Sequence, residues 1–336
     1  MVKKRRDDLF LKIILVGFIA IIAIVFIPTQ YMVMSPGIAE ELSTIITVED
    51  GYQNFNKGAF LLTAVTSKRA TALDFLFVKL RNPKGYVIEP MEEHLPEGMN
   101  MAEYYDLMLI SMENSKNIAK TIAFEKAGYD VEVKNRGVFI NEILDHGSAK
   151  GKLEKGDRII AIDDKEVEED QDAIDFIREH EIGEELKVTV ERDGETQEYN
   201  METIQLNEDE ETASIGVMIY TDLFFDFPKE VVFHTENIGG ASAGGMFTLE
   251  IYNQLTSEDI TNGKKIAGTG AINLDGEIGE IDGVEQKVIT AERNNALVFF
   301  APEDNYEAAK ETASTIEVVK IETIDDAISY LQELKE

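Results

Sequence analysis

Ser242 stands in the run Gly239-Gly240-Ala241-Ser242-Ala243-Gly244-Gly245, where no neighbour is larger than a methyl group. Met246, Leu249 and Tyr252 then recur at helical spacing, so the serine sits in a loop that opens a helix. Small neighbours let a substrate backbone approach the hydroxyl, and the free N–H groups of a helix start can stabilise an oxyanion. Taken alone, such a loop equally fits an anion-binding turn or a tight helix–strand connection. Forty-five positions later comes Lys287, in the first turn of a helix predicted to begin near Val284. The positive end of a helix dipole disfavours a second positive charge, and burial would disfavour it further. A lysine general base needs that effect, because its pKa must fall to roughly 7–8 to take a proton at neutral pH. The bland alternative is a surface lysine beside Glu285 and Glu292.

Other chemistries find less support. There is no cysteine, so disulfides and thiolate metal sites are excluded. The four histidines are scattered without metal-ligand spacing, and no metal or other cofactor is expected. His234, eight residues before Ser242, is a rival base, but a Ser–His mechanism also needs a placed acid. No G-x-x-x-x-G-K-[ST] loop occurs, so ATP is not an expected partner. A net charge of −33 repels nucleic acid.

These residues need elements to hold them. Leu9 to Ile27 is a 19-residue apolar run with Lys12 as its one charge, preceded by Lys3-Lys4-Arg5-Arg6. That length covers a bilayer core, and the basic cluster should stay inside, which sends the C-terminal bulk out of the cell. We therefore expect a cytoplasmic tail over 1–8, an uncleaved transmembrane helix over 9–29, and a single-pass membrane protein with an extracellular catalytic part. Gly58–Val65 reads as a strand, and 102–127 as a helix that Gly128 ends. A middle unit over 129–205 holds short β-branched strands and a helix around Gln171–His180. From 212 onward, Gly-rich turns separate apolar runs to the C-terminus.

The segment from Gly137 to Val167, GVFINEILDHGSAKGKLEKGDRIIAIDDKEV, resembles a PDZ domain. The resemblance implies peptide binding by β-augmentation, with Gly137, Val138, Phe139 and Ile140 as carboxylate-binding loop and edge strand. The helix carrying Ala173, Ile174 and Ile177 would form the other wall of the groove.

GGASAGG, then AGTGAI, then GEIGEIDGVEQK, in that order, resembles the proteolytic domain of Lon-type proteases. The resemblance implies Ser242 as nucleophile, Lys287 as general base and Thr269 as the hydroxyl that helps orient the pair. Two positions depart from the family pattern. Ala241 replaces a proline, and Asp282-Gly283 replaces Gly-Gly, adding a carboxylate that would raise the lysine pKa. GAFLLTAV and MENSKNIAKTIAFEKAG are similar to the family's first strand and helix. This implies an α/β (α+β) Lon-type proteolytic domain, formed by 30–128 and 212–336, with an inserted PDZ domain. The order of parts is similar to membrane-anchored PDZ-containing Lon-like serine proteases of Gram-positive bacteria. The expected partners are peptide or protein substrates, and because Lon-type domains often form rings, a homo-oligomer is compatible.

Overall fold

The computed structural model describes residues 12, 15, 27–52, 58–95, 101–206, 212–235 and 238–334. The tail at 1–8 and, apart from Lys12 and Leu15, residues 9–26 of the expected membrane helix lie outside the described residues, while Pro28 and Thr29, expected as the end of that helix, belong instead to the first strand. Among the described residues no helix is long and apolar enough to cross a membrane.

Two compact units emerge. One combines the chain up to Asp130 with Phe227–Glu336, and the other is Val131–Asp226. The first segment opens with β1 (Pro28–Glu41), β2 (Ile46–Val48), β3 (Ala59–Thr71) and β4 (Val87–Pro90). Helix α1 (Ala72–Arg81) follows β3 directly. Thr71 and Asp74 form a reciprocal capping box at its start, and Asn82 closes it in the left-handed region. Helix α2 (Met101–Lys126) ends the segment, and its C-terminal half is buried through Met112, Ala119, Ile122, Ala123 and Phe124.

The second unit contains β5 (Glu132–Ile143), β6 (Arg158–Ile162), β7 (Lys165–Glu166), α3 (Asp170–Arg178), β8 (Glu185–Arg192), β9 (Glu195–Glu202), a short β10–β11 ladder (Ile204–Gln205 with Ala213–Ser214) and β12 (Val217–Asp226). Its main sheet runs β12-β5-β6-β8-β9, with β7 on β6. Val138, Ile140, Ile159, Ile162, Val188 and Val190 fill the core, and α3 adds Ala173 and Ile177. Asp157, 1% exposed, receives the Arg192 guanidinium at 2.6 and 2.7 Å, which fixes the turn entering β6. The unit extends past the expected end at 205. Residues 217–226 pair along β5 from Ile143 to Glu132, so they belong here and not to the unit that follows.

The chain returns to the first unit with β13 (Val231–Phe233), α4 (Gly244–Leu255), β14 (Lys265–Gly268), β15 (Ala271–Ile272), β16 (Ile278–Gly279), α5 (Val284–Arg293), β17 (Val298–Pro302), α6 (Tyr306–Thr312), β18 (Glu317–Ile321) and α7 (Ile324–Glu333). Its central sheet is mixed, ordered β18-β17-β14-β3-β1-β4, with β3, β14, β17 and β18 parallel and β1 antiparallel to β3. Val284, Val288 and Ala291 of α5 pack with Ala59, Leu61, Ala267, Phe299 and Ala301 of the strands. The central strand β14 is short and apolar, as expected for a strand covered on both faces. It delivers the chain directly into Thr269.

Candidate active site

Three segments distant in sequence meet at one hydroxyl. The first is the turn Ala241–Ala243, which leads into α4. Gly240 (φ +90°) turns the chain in, and its N–H donates to the Met108 carbonyl of α2 at 2.8 Å. Ser115 of α2 donates its hydroxyl to the Ala241 carbonyl at 3.0 Å. Gly244 needs its missing side chain: a Cβ there would lie 2.6 Å from Ile272 and 2.7 Å from Ser115 Oγ. The small residues read from sequence thus serve packing around the serine as well as access to it.

The second segment is the exit of β14. Thr269 is 3% exposed, and its hydroxyl donates to the Ser242 main-chain carbonyl at 2.9 Å. The Gly270 N–H donates to the same carbonyl at 2.9 Å. The third is α5, whose first turn carries Lys287, also 3% exposed. Lys287 Nζ lies 2.8 Å from Ser242 Oγ and 2.9 Å from Thr269 Oγ1. The structure therefore brings Ser242, Thr269 and Lys287 together in one hydrogen-bonded cluster.

Burial pushes the Lys287 ammonium down from the ordinary 10.5 to about 7, while the Asp282 carboxylate pulls the other way. The carboxylate acts in the direction the sequence suggests, but desolvation wins. A buried amine with two hydroxyl neighbours and only the weaker pull of Asp282 gives up its proton far more readily than a solvated lysine. The helix start adds to this in sign. Chemically, a neutral amine 2.8 Å from a hydroxyl can accept its proton.

His234 is exposed; its main-chain N–H donates to the Ile45 carbonyl, and the Ser242 hydroxyl is instead engaged by Lys287. Among the described residues no group of acidic or histidine side chains could hold a metal. Sequence reading missed Ser115, Met108 and Gly270 as supports of the serine loop. Met108 and Gly270 touch it through main-chain atoms, which leave no residue-type signal, and Ser115 does so with a hydroxyl on a helix 126 positions upstream, too far for a local motif to show.

The expected peptide-binding edge is corrected. Val138 and Phe139 pair with Ile159 and Arg158 on one side and with Thr221 and Tyr220 on the other, so Gly137–Ile140 lies inside the sheet. The Gly137 N–H already donates to Asn135 Oδ1 at 2.7 Å. Among the described residues the outer strand on this side is β12, preceded by Ser214-Ile215-Gly216. The start of α3 is tied to it: the Asp170 N–H donates to Thr221 Oγ1 at 2.9 Å, and Thr221 donates back to Asp170 Oδ1 at 3.1 Å. Tyr220 and Phe224 remain exposed on β12.

Comparison with known proteins finds two domains whose matched ranges differ at their edges from the two structural units. Residues 215–333 match the Lon protease (S16) C-terminal proteolytic domain, and residues 107–203 match the PDZ domain. The chain is 32% identical over 100 residues to the Lon protease of Metamycoplasma arthritidis and 33% identical over 91 residues to that of Mycoplasma pneumoniae. These stretches cover 29% and 26% of this chain but only 12% and 11% of those proteins. Among solved structures, the PDZ domain of an SdrC-like protein from Listeria monocytogenes aligns at 23% identity. It covers 26% of this chain and 92% of that one, with a TM-score of 0.25. A solution structure from Geobacillus thermodenitrificans aligns at 29% identity over 24% of this chain and 94% of that one, with a TM-score of 0.23.

Proposed function

We propose that this chain is a serine endopeptidase that works through a Ser242–Lys287 dyad without ATP, held at the membrane by its N-terminal apolar run and facing out of the cell. The observation that carries the reading is the buried Lys287 amine, 2.8 Å from Ser242 Oγ and poised near neutrality. Neutral Lys287 takes the hydroxyl proton as Ser242 attacks a peptide carbonyl. The N–H groups of the Ala241–Ala243 turn, which opens a helix and so leaves its first donors without intrahelical acceptors, receive the oxyanion. Protonated Lys287 then gives its proton to the leaving amine. Water attacks the acyl-enzyme as Lys287 takes its proton, and Lys287 then returns that proton to Ser242 Oγ as the acyl C–O bond breaks, which restores the neutral amine and the hydroxyl. Thr269 holds the amine between the two hydroxyls.

The PDZ unit supplies recognition. An extended peptide would add to the outer strand β12, with α3 as the facing wall. The chain carries no phosphate-binding loop to drive unfolding, so flexible peptides and exposed segments are the fitting substrates. The test is cleavage of an unstructured peptide library without ATP by the intact chain and by Ser242→Ala and Lys287→Met, with circular dichroism as the folding control. Loss of cleavage in both folded variants supports the dyad. Full activity in either rejects it and leaves a peptide-binding scaffold.

A further inference from the structure

Helix α1 presents an apolar face that the fold leaves about half exposed, with Phe77 resting edge-on against Tyr86 at 5.8 Å between ring centres. Leu73, Leu76, Phe77 and Leu80 are 48, 47, 46 and 79% exposed. Their spacing of three, four and seven places them on one stripe. The opposite side anchors the helix: Val78 is buried against Val33 and Ala70, and Phe75 meets Tyr31 at 4.9 Å between ring centres. Scattered exposed leucines need no explanation, but a contiguous stripe marks a contact surface.

Charge identifies what it contacts. Within a chain of net charge −33, residues 66–84 hold Lys68, Arg69, Lys79, Arg81 and Lys84 against a single acidic residue, Asp74. At about 100° per residue, Lys79 and Arg81 fall on opposite flanks of the stripe. Both are exposed. Location points the same way. The Ala72 N–H, at the start of α1, donates to the carbonyl of Ile27 at 3.0 Å, and Ile27 is the last residue of the long apolar run. Pro28 pairs with Thr71 beside it. The stripe thus begins where the chain would leave a bilayer.

We propose that α1 lies in the membrane interface, its Leu73-Leu76-Phe77-Leu80 stripe among the upper acyl chains and Lys79 and Arg81 at anionic headgroups. The inference rests on the membrane-anchor reading. The occupant is lipid: an apolar stripe flanked by cations suits an interfacial helix, and its start beside Ile27, where the apolar run ends, favours lipid over an acidic protein face.

Because the chain has no cysteine, single labels are clean. The full-length protein, as Leu15→Cys, Leu76→Cys, Leu80→Cys or Glu198→Cys, is labelled with bimane and reconstituted into phosphatidylglycerol vesicles containing brominated phosphatidylcholine. Quenching of the Leu76→Cys and Leu80→Cys labels, with the Glu198→Cys label unquenched, is expected. A blue-shifted but unquenched label at both sites would mean that protein covers the stripe, and a water-exposed label would mean that nothing does; either overturns the proposal. The Leu15→Cys label reads the anchor separately. If it is unquenched the anchor reading fails, whatever α1 does; if it is quenched and the α1 labels are not, the α1 proposal alone fails. Lys79→Gln and Arg81→Gln should each shift the docked-to-undocked ratio about fivefold in anionic vesicles and little in neutral ones. Equal quenching in both lipids would remove the headgroup contact.

Discussion

The Thr269 hydroxyl donates to the main-chain carbonyl of Ser242 at 2.9 Å, which leaves its lone pairs as the acceptor for Lys287 Nζ at 2.9 Å. A hydroxyl has one proton, so this geometry fixes the direction of the network. Thr269 stabilises the charged form of the lysine and leaves the neutral amine's lone pair for Ser242. Thr269→Val should lower kcat by about 10- to 100-fold, the effect of a lost buried hydrogen bond of about 1–3 kcal/mol. It should also move the acid limb of the pH–rate profile downward, since the ammonium loses an acceptor. Thr269→Ser should restore both. A change in stability without a change in the pH profile would assign Thr269 a packing role only.

Activity should rise with pH through about 7 as Lys287 deprotonates, as read from kcat/KM on a small peptide. The stability effect has a definite sign. The unfolded lysine keeps its proton up to about 10.5 and the folded one only to about 7, so the unfolded state binds more protons between these values. Stability therefore rises with pH across that window, and below it the buried ammonium destabilises the fold. Lys287→Met should stabilise by roughly 2–4 kcal/mol at pH 6 and by much less at pH 10.5. Urea unfolding at the two pH values checks this.

Glu250, in α4, is a second buried titratable group. Burial pushes its carboxyl up to about 7, against the hydrogen bond from Gln254 and with a smaller contribution from Asp259. Gln254 Nε2 reaches Glu250 Oε1 at 2.7 Å and also donates to the Ile46 carbonyl, which ties α4 to β2. The folded state binds more protons between about 4.5 and about 7, so stability falls as pH rises through that range. Glu250→Gln keeps the acceptor and removes the charge. It should stabilise by roughly 2–3 kcal/mol at pH 8 and be near neutral at pH 4, as read by thermal unfolding.

Gly283 caps α5 with φ +72°, and a Cβ there would stand 2.8 Å from Val65 Cγ1. The Lys287 N–H donates to the Gly283 carbonyl at 3.1 Å, so the cap sets where the lysine's helix begins. Gly283→Ala should cost about 1–3 kcal/mol from the left-handed conformation and the close contact. Activity should fall further than stability, because a shifted helix start moves Nζ away from Ser242. Parallel measurement of kcat and urea midpoint separates the two.

The residues that meet at the candidate site were legible in the chain because each motif is local. The small-residue loop around Ser242 and the Gly-bounded start of the Lys287 helix advertise their conformations within a few residues. Longer-range pairing was not. β1 follows the apolar run and carries Pro28, Pro36 and Gly37, residues that disfavour a regular strand; in the fold the β1–β3 register slips between Pro36 and Ala39, and the strand passes through. The PDZ edge failed for a related reason. An apolar run such as Gly137–Ile140 looks the same at the rim of a sheet as inside it, and only the partner strand 80 or so residues later decides. The composition change near Ala213 was real, but it marks a strand of the middle unit.

The pairing of Glu132 with Asp226 places the two ends of the middle unit side by side, about 5 Å apart. A cassette with adjacent ends can be spliced into a host loop, or lost from it, without stretching either side. Evolution could therefore exchange the middle unit as a plug while the unit that holds Ser242 and Lys287 kept its geometry. A chain shortened by joining Asp130 to Phe227 through a tight turn should still bring its serine and lysine together.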